Sequence, residues 1–323
     1  TCCQLKHNHP SMQKYRYVYF FITLAVYVLI ICSNSIIIYL ILIHQNLHEP
    51  MYIFIAALLL NSILYSTNIY PKLLIDFLSE KQIISHSFCH FQYFTFYTLG
   101  SSEFLLLSAM AYDRYVSICK PLKYPTIMTK KTVSVFLALA WLVPAAQIAG
   151  STMLSAKRKV CNFTLSGIFS GILILNERVC KFTLPSIFCN NSVHKLHCVK
   201  SQAITICGVF LLINLTLCPV VFILYTYSRI FIITYRSSPE VRKKAAQTCL
   251  PHLLVLVCFS FLLTYNVVIV RLEADMPKTV FLIMTLQLVL YHPLFNPIIY
   301  GLKMTEIYRH LKNLLSSNNM HIP

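Results

Sequence analysis

The residues best placed to do chemistry in this sequence are Asp113 and Arg114, adjacent in the stretch MAYDRYVSICKPLKY at 110–124. They close a long apolar run that holds no other basic residue. Inside a bilayer such a pair is costly unless its charges meet each other or reach the interface, so it marks a working position. The chemistry open to it is electrostatic: a guanidinium held by a carboxylate can be released when a neighbouring element moves, and one pair then biases two packings. The plainer alternative is an interfacial anchor with snorkelling side chains. Glu103 is a second candidate, because a carboxylate in mid-run must face the interior of a helix bundle, where it meets either a ligand cation or an internal hydrogen bond. His44, His48, His252 and His310 are scattered, with no carboxylates at triad or metal-ligand spacing. No catalytic role, metal or cofactor is expected, and the chain reads as a non-enzyme.

The elements that must position these residues are written in the composition. Of 323 residues 57% are hydrophobic and 11% charged, with a mean hydropathy of +0.66 and only six glycines. A soluble domain is not built this way. Apolar runs fall at residues 17–43, 51–75, 89–118, 132–154, 202–234, 247–270 and 278–302, each long enough to cross about 30 Å of hydrocarbon as a helix. The short alternating segments of a membrane barrel do not occur. The expected fold is an all-α membrane protein, a seven-helix bundle forming one domain over 1–323, with an N-terminal segment 1–16, the bundle 17–302 and a tail 303–323. The first run is too long, and too richly flanked by Tyr15, Tyr17, Tyr19 and Phe20, for a cleaved signal peptide.

The net charge of +17 does not imply nucleic acid, since the basic residues sit in loops and form no stripe on a soluble surface. They report topology instead. With residue 1 outside, the inner loops and tail carry twelve (Lys120, Lys123, Lys130, Lys131, Arg229, Arg236, Arg242, Lys243, Lys244, Lys303, Arg309, Lys312). The short outer segments carry seven (Lys6, Lys14, Arg16, Lys72, Lys81, Arg271, Lys278). That bias places the N-terminus outside and the C-terminus in the cytoplasm; the long loop 155–201 is left out because long loops translocate regardless of charge.

Four of the thirteen cysteines, Cys161, Cys180, Cys189 and Cys198, crowd that outer loop, and Cys89 opens the third run on the same side. Clustering on an oxidising face suggests disulfides; zinc with His194 and His197 is the competing reading, though no short paired spacing occurs. The loop also repeats itself, VCNFTLSGIF at 160–169 returning as VCKFTLPSIF at 179–188, which leaves Cys161 without an obvious mate. Acceptor patterns for N-glycosylation occur at Asn162 and Asn190. The pattern at Asn214 lies inside the fifth run and is a chance match. The opening TCCQLKHNHP, without an initiating Met, reads as a chain lacking its natural start.

An ordered set of strings covers nearly the whole chain: LHEPMY at 47–52, MAYDRYVSIC at 110–119, TYSRI at 226–230, KAAQTCLPHLL at 244–254 and PLFNPIIYGLK at 293–303. Together they resemble the olfactory receptors of the rhodopsin-like G-protein-coupled class, fish-type branch. The resemblance implies a switch of Asp113, Arg114, Tyr115, Tyr227, Asn296, Pro297 and Tyr300, with the two distal tyrosines turning inward on activation. An aromatic belt at the inner interface is the alternative for those tyrosines. Asn296 and Pro297 are expected to interrupt the seventh helix, because proline removes a donor and frees a carbonyl that a neighbour must satisfy. The resemblance further implies disulfides Cys89–Cys189 and Cys180–Cys198. Where the class usually carries a sodium-holding aspartate this chain has Ser62 beside Asn61, which argues against sodium.

The class's amine receptors place an aspartate where this chain has Phe96, and its opsins a lysine where it has Leu290. Amine salt bridges and retinal are thereby excluded. What remains is an apolar pocket with a few orienting polar groups in the outer half of the bundle. Phe96, Tyr97, Gly100, Ser101, Phe104, Phe259 and Tyr265 are its candidates, with ordinary helix packing as the competing reading for each. The expected partners are a small odorant, water-soluble by analogy with the branch, a heterotrimeric G protein of the olfactory Gs type raising cyclic AMP, and the lipid bilayer. A basic, amphipathic eighth helix over Leu302–Leu315 would touch the plasma membrane surface. A transporter is the reading from another class, opposed by the lack of repeated halves. A non-signalling product of a damaged gene is the third.

Overall fold

The computed structural model describes residues 2–5, 15–79, 83–156, 183–184, 188–190, 202–235, 237–240, 242–243, 249–250, 253–261 and 278–318. Its elements are helices α1 (Arg16–Ile43), α2 (Pro50–Leu78), α3 (His86–Cys119) and α4 (Lys130–Ala156). Helix α5 runs as Gln202–Leu212, a π-helical stretch Ile213–Leu217, and Cys218–Tyr235. Residues 253–261 belong to α6, followed by α7 (Lys278–Lys303) and α8 (Thr305–Asn318).

Each helix starts where its sequence allows. Pro50 opens α2 after an extended Glu49, at the position where a missing N–H costs nothing. Ser85 caps α3 by accepting the Phe88 amide at 3.3 Å, and Thr129 accepts the Thr132 amide ahead of α4. Prolines inside α2 (Pro71), α4 (Pro144) and α7 (Pro293, Pro297) do not end these helices, because neighbouring groups in a bundle can take up the freed carbonyls. Among the described residues, α1, α2, Lys130–Met153 of α4 and Thr205–Tyr235 of α5 are long and apolar enough to cross a membrane. Their outward faces carry Phe21, Leu42, Leu142, Val221 and Phe231, the surface hydrocarbon accepts.

Helix α3 is different. It carries Glu103, Asp113, Arg114 and a row of hydroxyls, and it runs through the centre, packed against α2, α4 and α5, where polar groups find partners instead of lipid. Helix α7 packs on α1 and α2, and α8 turns back onto α1. In α8 the buried Ile307 and half-buried Leu311 and Leu314 form one stripe, with Tyr308, Arg309 and Lys312 exposed opposite. It lies three residues further along the chain than expected. At the other end sits an unexpected three-stranded sheet: β1 (Cys2–Leu5) pairs antiparallel with β2 (Ile83–Ser85) and parallel with β3 (Thr183–Leu184). Outside the apolar runs, strand pairing satisfies the backbone as well as helices do.

Candidate functional site

At the inner end of α3, Asp113 is fully buried and holds its neighbour from one oxygen: Arg114 donates to Oδ2 through Nη2 at 2.7 Å and Nε at 3.1 Å. The other oxygen, Oδ1, accepts the hydroxyl of Tyr124 at 2.8 Å. Tyr124 comes from a short helix, Tyr124–Ile127, in the loop after α3. Burial first, and then the Asp113 carboxylate, push its phenol well above the ordinary value. With only 15% of the Arg114 side chain exposed, the snorkelling-anchor reading fails. Tyr124 escaped sequence reasoning, although its place eleven residues after Asp113, across a tight loop, was the available signal.

Tyr227 and Tyr300 are buried inside the bundle, which removes the aromatic-belt alternative. Tyr227 lies near Arg114 and Cys249, and Tyr300 near Tyr227. The Tyr227 hydroxyl has no hydrogen-bond partner among the described residues. Tyr115 faces another way, with the Lys120 ammonium 5.6 Å over its ring.

Ten residues before Asp113, Glu103 is fully buried in the middle of the bundle, and its environment decides between the two readings. Asn296 Nδ2 donates to Glu103 Oε1 at 3.2 Å and to Ser62 Oγ at 2.9 Å, tying α7 to α3 and α2. Ser62 itself donates to the Leu58 carbonyl, while Asn61 donates to the Leu99 carbonyl and accepts from Trp141 of α4. An internal hydrogen-bond knot thus occupies the carboxylate. Helix α7 is not interrupted at Asn296–Pro297, contrary to expectation. Pro297 leaves the carbonyl of residue 293 without its helical donor, and Asn34 of α1 supplies one at 3.0 Å, so the ladder is repaired from outside.

The ligand candidates divide. Phe96 is buried against Tyr65, Tyr97 and Phe188, with ring centroids 5.2, 5.0 and 4.8 Å away, and Phe104 meets Phe259 at 5.0 Å. Gly100 lies between these two groups; a Cβ there would touch both Phe259 and Tyr65 at 3.9 Å. Phe96, Gly100, Phe104 and Phe259 therefore form one aromatic column with Tyr65 and Phe188, which the sequence had not singled out. Ser101 is buried on α3 and Tyr97 half-buried at the edge. Tyr265 lies outside the described residues.

A disulfide joins Cys89 and Cys189, with Cα atoms 5.4 Å apart, and fastens the loop to α3. Gln92 adds to the clamp by accepting the Cys189 amide and exchanging hydrogen bonds with Asn68 of α2. Cys161, Cys180, Cys198, Asn162, the first repeated segment and the second apart from Thr183–Leu184 and Phe188 lie outside the described residues. Asn190 is fully buried beside the disulfide, whereas a glycan acceptor needs an accessible amide, so the expectation at Asn190 is withdrawn. The histidines are less scattered than their numbers suggest. His44 and His310 stack at 3.8 Å where α8 meets α1, since the turn before α8 folds the tail back.

The sequence model of the family described as Olfactory receptor matches residues 23–318. Olfactory receptor 13C2 of Homo sapiens is 30% identical over 317 residues, covering 96% of this chain and 92% of that protein. Olfactory receptor 2T7 of Homo sapiens is 33% identical, covering 90% and 88%. Olfactory receptor-like protein COR5 of Gallus gallus is 32% identical, covering 93% and 90%. The match takes in the helical bundle and its inner ion pair together, and the chain belongs to the olfactory receptor family, multi-pass receptors of the plasma membrane.

Proposed function

We propose that the chain binds a small odorant in the outer half of its bundle and, by releasing Arg114 from Asp113, catalyses nucleotide exchange on a heterotrimeric G protein of the Gs type. The observation that carries this reading is the buried Asp113–Arg114 pair at the rim of α3, capped by Tyr124, with Tyr227 of α5 near Arg114. A guanidinium tethered by one carboxylate has a ready competitor when α5 and α6 move.

The aromatic column Phe96–Gly100–Phe104–Phe259 supports an apolar ligand site beside the Glu103 knot. Its walls favour a small apolar molecule over the water-soluble class that analogy suggested. Tyr97, Ser101 and Tyr265 stay in the proposed ligand set as orienting groups. Asn296, Pro297 and Tyr300 would transmit the motion through α7. An outward N-terminus is supported by β1, which pairs with strands at the disulfide end of the bundle, the oxidising side. The proposal includes a Cys180–Cys198 bridge and a glycan on Asn162 in the same outer loop.

The test is a cyclic-nucleotide reporter screen of small alcohols, acids, amino acids and bile acids against the full chain, with Arg114→Ala as control. A ligand-dependent rise that disappears in the variant supports the switch. A response that survives the change, or an ionic current without a cyclic-nucleotide rise, overturns it.

A further inference from the structure

Of the fourteen prolines in the chain, Pro239 alone follows a serine or threonine, Ser238, in the stretch YRSSPEVRKK at 235–244. This stretch joins α5 to α6 at the end of the bundle that holds Asp113 and Arg114, opposite the end fastened by Cys89 and Cys189. Neither the switch nor the aromatic column makes use of it.

Two serines stand side by side there, and the backbone tells them apart. Past the end of α5 the Ser237 amide bonds back to the Thr234 carbonyl at 3.0 Å, and the Ser237 hydroxyl turns the same way, donating to the Ile233 carbonyl at 3.3 Å. Ser238 instead opens the next helical turn. Its carbonyl accepts the Arg242 amide at 3.1 Å, and Pro239 takes the first helical position, where a missing N–H costs nothing. A proline also holds the residue before it extended, so Ser238 stands outside the helix that it starts. Ser238, Pro239 and Glu240 are all exposed.

An exposed hydroxyl on an extended residue, followed by a ring that fixes the backbone and offers no N–H, suits a kinase whose pocket accepts the proline and needs no donor there. An arginine-directed kinase would find one nearby upstream arginine, Arg236, and a ring in place of an amide. We infer that Ser238 is a phosphorylation site for a proline-directed serine/threonine kinase of the cytoplasm. In the transfer Ser238 Oγ bonds to the γ-phosphorus of ATP, the bond from that phosphorus to the bridging oxygen of ADP breaks, and the hydroxyl proton passes to the kinase's base and on to water. Residues 236–244 hold four basic side chains and one acidic, and a phosphate of about −1.5 to −2 charges lowers their net +3 to about +1. The exposed Arg242, one turn on and on the same helical face, is the cation that the phosphate meets. This modification goes beyond the odorant and G-protein reading and rests only on the proposed orientation, which puts the loop where ATP is.

The experiment expresses the full chain in animal cells, isolates it under phosphatase inhibition and maps phosphate by mass spectrometry, beside a nanodisc sample treated with ATP and a proline-directed kinase. Both should carry phosphate on Ser238, lost in Ser238→Ala and, with the hydroxyl kept, in Pro239→Ala. Phosphate on Ser237 instead, incorporation that survives Pro239→Ala, or an unmodified Ser238 in cells overturns the site. Protease added to intact cells separates the causes of that last result: cutting at the loop overturns the outward N-terminus as well, and a protected loop leaves the orientation standing. Phosphorylation should also slow amide hydrogen exchange over residues 237–243 by about two- to five-fold, the worth of an exposed ion pair, and Arg242→Gln should remove the slowing. Equal slowing in Arg242→Gln overturns the pairing with Arg242.

Discussion

Two carboxylates on one helix, Asp113 and Glu103, are both fully buried and about 15 Å apart along α3, yet they are held in opposite ways. Asp113 meets a full positive charge and a phenol, both from within eleven residues of itself. Glu103 meets the neutral amide of Asn296, 193 residues away. The first arrangement is local and electrostatic, so it can open at the helix end without disturbing the bundle. The second joins three helices, so it cannot open without moving one of them. A buried acidic residue in this fold is thus a latch or a knot according to its partner, not its depth.

Substitutions test that difference. Arg114→Ala should have the largest effect: it leaves Asp113 buried without its cation, costing about 3–5 kcal/mol, and abolishes ligand-driven exchange. Thermal unfolding and GTP-analogue binding of purified receptor measure the two losses. Tyr124→Phe removes one hydrogen bond to a charged group, worth about 1.5–3 kcal/mol, from the latched state alone. Basal exchange should rise roughly ten-fold or more, with a fall in unfolding temperature; unchanged basal exchange would show that Tyr124 caps without restraining. Glu103→Leu strands one donor of Asn296 and should cost about 1–3 kcal/mol, whereas Glu103→Gln keeps an acceptor and should cost less than about 1 kcal/mol. If Glu103→Gln raised basal exchange as strongly as Tyr124→Phe, the distinction between latch and knot would be lost.

How far the sequence revealed these regions depends on where the partners lie. Asp113 and Arg114 were readable because adjacency needs no fold, and the seven runs because hydrocarbon thickness imposes a length. The repair of α7 was half readable: Pro297 announced a freed carbonyl, but nothing named Asn34, 259 residues away, as its donor. Glu103 could be narrowed to two fates and no further, since its partners come from α2 and α7. Tyr65 and Phe188 joined the aromatic column unannounced, one from an ordinary apolar stretch and one from a loop brought in by the Cys89–Cys189 bond. Asn190 shows the opposite error, a short pattern that signals an exposed acceptor where the loop packs the amide inside.

The smallest expected effect concerns a contact without any carboxylate at its centre. His310 stacks on His44, and its Nε2 lies 3.1 Å from the Asn46 side-chain nitrogen, which donates, so the ring nitrogen accepts and the imidazole is neutral. Desolvation first, then His44 and Arg309, hold its pKa below the ordinary 6.5, against a smaller opposing pull from Glu306. A histidine with a depressed folded value binds its proton more readily once α8 has left α1. The docked state is therefore fully favoured above 6.5 and loses ground as pH falls below it. The ring is half-buried at the edge of the protein, so the change is modest and partly screened by salt. Fluorophores on α1 and α8 in nanodiscs, titrated downward through pH 6, should report partial separation, and His310→Gln should flatten the curve while sparing the latch at Asp113. A separation that persisted in His310→Gln would show that this ring is not the group that senses pH.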